Sequence, residues 1–168
     1  MHYFSYGSNM SLRRLRARIP GARHFGVAHL EQHRLAFHKR SLRDGSAKCD
    51  AAWTGDPGDR VIGVLYRISD RERQRLDRFE GVGNGYEVAR VRVVTAAGVL
   101  LEAVTYRATL VDPTLKPFHW YKEHVLRGAL ENRLPPVYIE RLRGVESIAD
   151  PDPARHRLEM AIYQGANT

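Results

Sequence analysis

Near the start of the chain an aromatic run, Tyr3, Phe4 and Tyr6, breaks at Gly7 into the short polar pair Ser8 and Asn9, and Ser11 then opens an amphipathic stretch over residues 12–19. This spacing requires a strand to turn directly into a helix start, with a glycine free to take a positive φ at the corner. Backbone N–H groups and the positive end of a helix dipole then point at one place, as they do where proteins hold carboxylates, phosphates or developing oxyanions. The plainer reading of the same residues is an ordinary turn in which Asn9 or Ser11 caps the helix.

A chain of 168 residues predicts one domain with a sizeable core. The formal net charge is +8, but the 27 Lys and Arg are interspersed with 19 Asp and Glu. Arg13, Arg14, Arg16 and Arg18 read as the solvated face of the first helix, so charge alone is no argument for a specific nucleic-acid partner. Cys49 is the only cysteine, which excludes an intrachain disulfide and suits a reducing, cytoplasmic compartment. It sits in an alternating, strand-like segment and reads as a buried structural thiol. No apolar run reaches the ~20 residues that span a bilayer, and no export signal opens the chain, so a soluble protein is expected.

Along the chain, residues 22–30, 32–38 and 48–54 read as strands, with the polar segment 39–46 as a mobile loop free to cover a site. Residues 61–66 are nearly all apolar and predict a strand buried on both faces. Ser69 and Glu72 form a capping box, and Gly81 is placed as the left-handed stop of the helix they open. Residues 86–95 and 99–110 predict a long hairpin, and helices are predicted over 117–132 and from Pro135-Pro136 to Gly144. Residues 1–149 read as one domain and 150–168 as a tail that holds one short helix. Strands interleaved unevenly with helices point to an α+β fold.

Glu80 is the acid singled out by its setting. It closes a helix, where the dipole disfavours negative charge, among apolar Leu76, Phe79 and Val82 and one turn from Asp77. A carboxylate in such a place can take a proton in one step and return it in the next, although a solvent-facing helix end fits the same pattern. Ser8 lacks the Gly-x-Ser-x-Gly elbow of an acyl nucleophile. The eight His residues show no metal-ligand spacing and read as scattered surface groups, and no phosphate-binding glycine loop occurs, so neither metal nor nucleotide cofactor is expected. Tyr138, at a helix start after Leu134-Pro135-Pro136, could offer a phenol to a cleft or merely pack at a helix junction.

Taken together, these places resemble the γ-glutamylcyclotransferase-like family. Residues 4–10, Phe-Ser-Tyr-Gly-Ser-Asn-Met, resemble its signature loop. Residues 76–82 followed by Gly85 and Tyr86 resemble its catalytic-glutamate segment, and residues 61–68 the strand before it. Residues 128–132 with Leu134, Pro135 and Tyr138 resemble its C-terminal motif. The order holds from residue 3 to about 144; Ser5 stands where the family often has a small apolar residue, and the tail matches nothing.

The resemblance implies a mixed β-barrel with flanking helices, the γ-glutamylcyclotransferase-like fold, and a reaction in which a γ-glutamyl amide closes to 5-oxoproline and releases an amine. It implies Glu80 as acid/base, Tyr6, Gly7, Ser8 and Asn9 as the substrate loop, and Tyr138 as a further substrate contact. The implied partner is a small γ-glutamyl compound, with no cofactor, no metal, no specific nucleic acid and no membrane. Within that chemistry the leaving group is an amino acid or amine, or a larger amine such as an acylated carrier arm, and the polar segment 39–46 is expected to set that choice. The loop amides would hold either the substrate α-carboxylate or the oxyanion. A non-catalytic binder of small carboxylates on the same fold is the alternative.

Overall fold

The computed structural model describes residues 1–164. Strand β1 (His2–Ser5) leads through a 3-10 turn, Ser8–Met10, into helix α1 (Leu12–Arg18). Strands β2 (Arg23–Glu31), β3 (His33–Arg40), β4 (Ala47–Trp53) and β5 (Arg60–Arg67) precede helix α2 (Asp70–Glu80). The hairpin β6 (Tyr86–Thr95) and β7 (Leu100–Ala108) is followed by helices α3 (His119–Glu131), α4 (Pro136–Arg143) and α5 (Pro153–Ala161). Five strands close a barrel in the order β1-β5-β2-β6-β7, and β3 pairs with β4 as a separate antiparallel ribbon. Closure is made by a parallel contact between Tyr3 and Val104, whereas β1 and β5 run antiparallel; the barrel is therefore mixed.

The expected apolar strand is β5, paired on one side with β1 and on the other with β2. Its Val61, Val64, Leu65 and Tyr66 are fully buried, because the barrel interior lies on one face and the outer layer on the other. Helix α2 begins and ends where local chemistry dictates. Ser69 and Glu72 exchange both bonds of a capping box, and Gly81 takes φ 68 and ψ 48, a left-handed stop that a β-carbon would strain.

Helix α3 clamps the end of the first loop. A β-carbon on Gly128 would lie 2.5 Å from Met10 Cβ and 2.6 Å from Ser11 N, so the two backbones meet only because this position has no side chain. Tyr66 Oη and Asn132 Nδ2 both donate to the Met10 carbonyl, at 2.6 and 3.0 Å.

The chain after α4 folds back over α1 and α3. Asp152 caps α5, and Asp150 accepts from Trp120 Nε1 at 2.7 Å and from Arg155. Beneath α5, His124 is fully buried, contrary to the expectation that the histidines scatter over the surface, and Arg14 is buried where a solvated face was expected. Arg14 bonds Glu159 at 2.6 Å and His124 Nε2 at 2.8 Å. Arginine only donates, so Nε2 accepts, and the ring proton sits on Nδ1, 2.8 Å from Tyr163 Oη. The last residues of the expected tail, 165–168, lie outside the described residues.

Two outcomes follow from this packing. Gly128→Ala should cost about 1–3 kcal/mol by overpacking, read as a lower urea midpoint. Burial, opposed by the Glu159 carboxylate and helped by the Arg14 charge, lowers the His124 pKa from 6.5 to about 4. The unfolded chain therefore binds this proton first as pH falls, so stability is intact above 6.5 and is lost progressively towards 4. The variant His124→Gln should flatten the fall of Tm across that window.

Candidate active site

Glu80 ends α2 beside the loop that follows β1. Its Oε1 accepts from Asn9 Nδ2 at 2.8 Å and from Arg18 Nη1 at 2.6 Å, and Arg18 Nη1 also donates to Asn9 Oδ1 at 3.1 Å. Oε2 takes no hydrogen bond from any described residue, so one carboxylate oxygen is anchored and the other is left to the cavity.

This is not the apolar setting expected from sequence. Phe79 and Val82 are 49% and 36% exposed, and Asp77 is occupied by Arg73 and by Tyr106 Oη, each at 2.7 Å. Glu80 is held instead by a polar clamp whose cation, Arg18, was read as part of a solvated face. The signal was present: Arg14 and Arg18 are four apart on α1 and share one helical face, and both turn inwards.

The loop and the glutamate share a recess. Tyr6, Gly7, Ser8, Asn9 and Glu80 line it together with Cys49 and the phenols of Tyr3, Tyr86, Tyr106 and Tyr121. Its volume is about 30 Å³, room for a small polar group, and Ser8, Glu80, Tyr86 and Tyr121 also line an outer cleft of about 340 Å³. The N–H groups of Gly7, Ser8 and Asn9 donate to no described residue, while Met10 N turns back to Gly7 O at 3.0 Å.

Two details of the loop differ from expectation. Gly7 has φ −117, not a positive value; its β-carbon would instead stand 3.1 Å from Cys49 Cβ, so glycine is needed for close approach to β4. The N-terminus of α1 does not face the recess as an anion site. Ser11 there is fully buried and bonds Glu131 of α3 at 3.0 Å, and it is the opposite end of α1 that delivers Arg18.

The walls are neutral donors and acceptors. Burial pushes the phenols of Tyr6, Tyr86 and Tyr121 well above the usual range, so they stay protonated. Tyr6 Oη donates to the Tyr106 carbonyl and Tyr86 Oη to the Cys49 carbonyl. The described residues contain no group of three or more His, Cys, Asp or Glu side chains placed to hold a metal ion. No described helix is long and apolar enough to cross a membrane.

Comparison with known proteins gives this arrangement a lineage. The model of the AIG2-like family matches residues 60–142. Human γ-glutamylcyclotransferase is 34% identical over 152 residues, 86% of this chain and 78% of the human protein, and the mouse γ-glutamylcyclotransferase has the same identity and coverage. This chain belongs to the γ-glutamylcyclotransferase family. A solved γ-glutamyl cyclotransferase structure superposes with a TM-score of 0.87 at 30% identity, covering 98% of this chain and 99% of that one. The family fold is therefore the barrel and flanking helices described above.

Of the residues for which the family resemblance implies a role, Tyr138 is not brought to the recess. Its Oη accepts from Ile62 N at 3.3 Å, and it lines a separate groove with Phe37, Val137 and Leu142. Pro135 caps α4 and Pro136 starts it, and the buried phenol packs where this helix meets β5. Segment 39–46 is not a loose cover. Ser41 and Ser46 are buried, Ser41 N bonds Ser46 O at 3.0 Å, and Asp44 accepts from Ser46 N and Lys48 Nζ.

Cys49 lines the recess, yet burial pushes its thiol up to about 12, with the thiolate further disfavoured by Asp50. It is a wall and not a nucleophile. Iodoacetamide at pH 8 should leave Cys49 unmodified in the folded protein and alkylate it on unfolding, as read by intact mass.

Proposed function

We propose that this protein is a γ-glutamylcyclotransferase in which Glu80 carries both proton transfers. The observation that supports this most directly is the Glu80 carboxylate itself, with Oε1 fixed by Asn9 and Arg18 and Oε2 unoccupied beside a loop of three unbonded amides. A group held that way has one orientation and one free lone-pair face, which is what repeated proton transfer at a fixed place requires.

The reaction is intramolecular. The α-nitrogen of a γ-glutamyl amide attacks its own γ-carbonyl carbon, a five-membered ring forms, and the bond from that carbon to the amide nitrogen breaks. The attacking ammonium sheds two protons in becoming the ring amide of 5-oxoproline, and the departing nitrogen gains two in leaving as an ammonium. A single carboxylate that alternates between its two protonation states relays them one at a time, so no hydride, metal or activated acyl group takes part in the balance. Because both reacting groups belong to one molecule, the protein need only fold the glutamyl chain into an attack geometry and manage protons and charge.

The recess has room for an oxygen beside Glu80, and that closeness to the acid favours one of the two roles open to the loop. We assign the amides of Gly7, Ser8 and Asn9 to the γ-carbonyl oxygen, where negative charge develops as the tetrahedral intermediate forms. Tyr6 is a supporting wall in this reading: its hydroxyl is committed to the Tyr106 carbonyl, which fixes the loop against β7.

The test is direct measurement of 5-oxoproline from a panel of γ-glutamyl compounds. Glu80→Gln should lower kcat by about 100- to 10,000-fold while leaving the fold intact by circular dichroism. Comparable turnover by this variant would remove Glu80 from the chemistry, and thermal stabilisation by glutamate or 5-oxoproline with no turnover of any compound would make the protein a binder.

A further inference from the structure

The outer cleft is strongly and unevenly charged. Seven cationic side chains and three acids line it, and each acid already has a cation: Glu80 pairs with Arg18, Asp44 with Lys48 and Glu159 with Arg14. Arg155 is paired outside the cleft with Asp150. Among the described residues, Lys39, Arg43 and Arg78 have no carboxylate within 4.0 Å, and of these only Lys39 is buried, at 6% exposure.

A buried ammonium without a counter-ion is costly, and the fold goes to some length to place this one. The pairing of β3 with β4 slips between Phe37 and Lys39, a bulge that re-aims the strand at this residue. The Lys39 ammonium lies 4.5 Å from the centre of the Tyr86 ring, which also borders the recess. The stem crosses Gly85, whose φ is +108 and where a β-carbon would approach Lys39 Cε to 2.9 Å. Burial lowers the pKa of this lysine, while Glu80 and Asp44 pull the other way and favour its charge.

The position of the lysine relative to Glu80 says what it would meet. Glu80 and Tyr86 line both recess and cleft, whereas Lys39 lines only the cleft. With the γ-carbonyl oxygen in the recess, the substituent on the departing nitrogen extends outwards past Glu80. We propose that Lys39 is the specificity-determining residue for the leaving group, and that it selects γ-glutamyl compounds whose departing amine carries a carboxylate over those that release a neutral or cationic amine. Arg43 and Arg78, exposed at the rim, attract the same charge from solution. This inference rests on the cyclotransferase reading and adds to it the residue of this chain that reads the group released.

Two substrates that differ by one carboxylate provide the test: γ-glutamyl-L-alanine and γ-glutamyl-ethylamide. The wild type should show a KM about 10- to 100-fold lower for the alanine compound, the range of a charged hydrogen bond. Lys39→Met should remove that preference by raising KM for γ-glutamyl-alanine while moving the ethylamide far less, and Lys39→Arg should keep it. An equal rise on both substrates would place Lys39 on the shared glutamyl part and overturn the proposal, as would no change on either. If the wild type turns over neither compound but forms 5-oxoproline from others of the panel, the reaction assignment stands and the proposal is overturned; if it turns over none of the panel, the reaction assignment falls. Thermal shifts then decide for Lys39 alone: stronger stabilisation by γ-glutamyl-alanine that Lys39→Met abolishes supports it, and equal shifts from both compounds overturn it.

Discussion

The ion pair between Arg18 and Glu80 is the joint on which this site depends, because of where the two residues stand. Arg18 is the last residue of α1 and Glu80 the last of α2, so two helix C-termini, each carrying partial negative charge, converge on one carboxylate. Without a cation there, three negative centres would face one another in a half-buried place. The guanidinium answers all of them, and Asn9 fills the remaining angle by donating to Glu80 and accepting from Arg18. The loop after β1 is thereby tied to the end of α2, and recess, anchor and acid are set by one cluster.

Around that cluster the protein uses phenols where charges would be expensive. Tyr3, Tyr86, Tyr106 and Tyr121 come from β1, β6, β7 and α3, and each commits a hydroxyl to a partner at the edge of the recess or behind it. A neutral wall of this kind excludes water without competing with Glu80 for protons. Apart from Arg18 and Glu80, the charged groups are kept further out, in the cleft.

Much of the fold could be read from residues that act locally. The ends of α2 follow from Ser69, Glu72 and Gly81, the β6–β7 hairpin from its turn residues, and the burial of β5 from its composition. What could not be read that way depends on which distant segment a side chain meets. Arg14, Arg18 and His124 look like ordinary polar residues of helices; their burial is decided by α5 and α2, more than sixty residues from Arg14 and Arg18 and about thirty-five from His124. Lys39 looks like the start of a loop because the bulge that turns it inwards leaves no mark in composition. Tyr138 shows the opposite case: a motif groups it with the chemistry in the chain, and the fold sets its hydroxyl on the Ile62 amide beside a separate groove. The pairing of loop and glutamate was legible only through the family resemblance, since neither stretch alone names the other.

Closure of the barrel through Tyr3 and Val104 has a consequence for the order in which the molecule assembles. The first strand completes its pairing only when β5 and β7, about sixty and about a hundred residues later in the chain, are both in place. Such long-range pairing makes folding slow and gives partly folded states a sticky edge. The loop that borders Glu80 is the continuation of that strand, so its placement depends on the same closure. A chain one step short of closure leaves both the strand edge and the contact between the loop and Glu80 unmade.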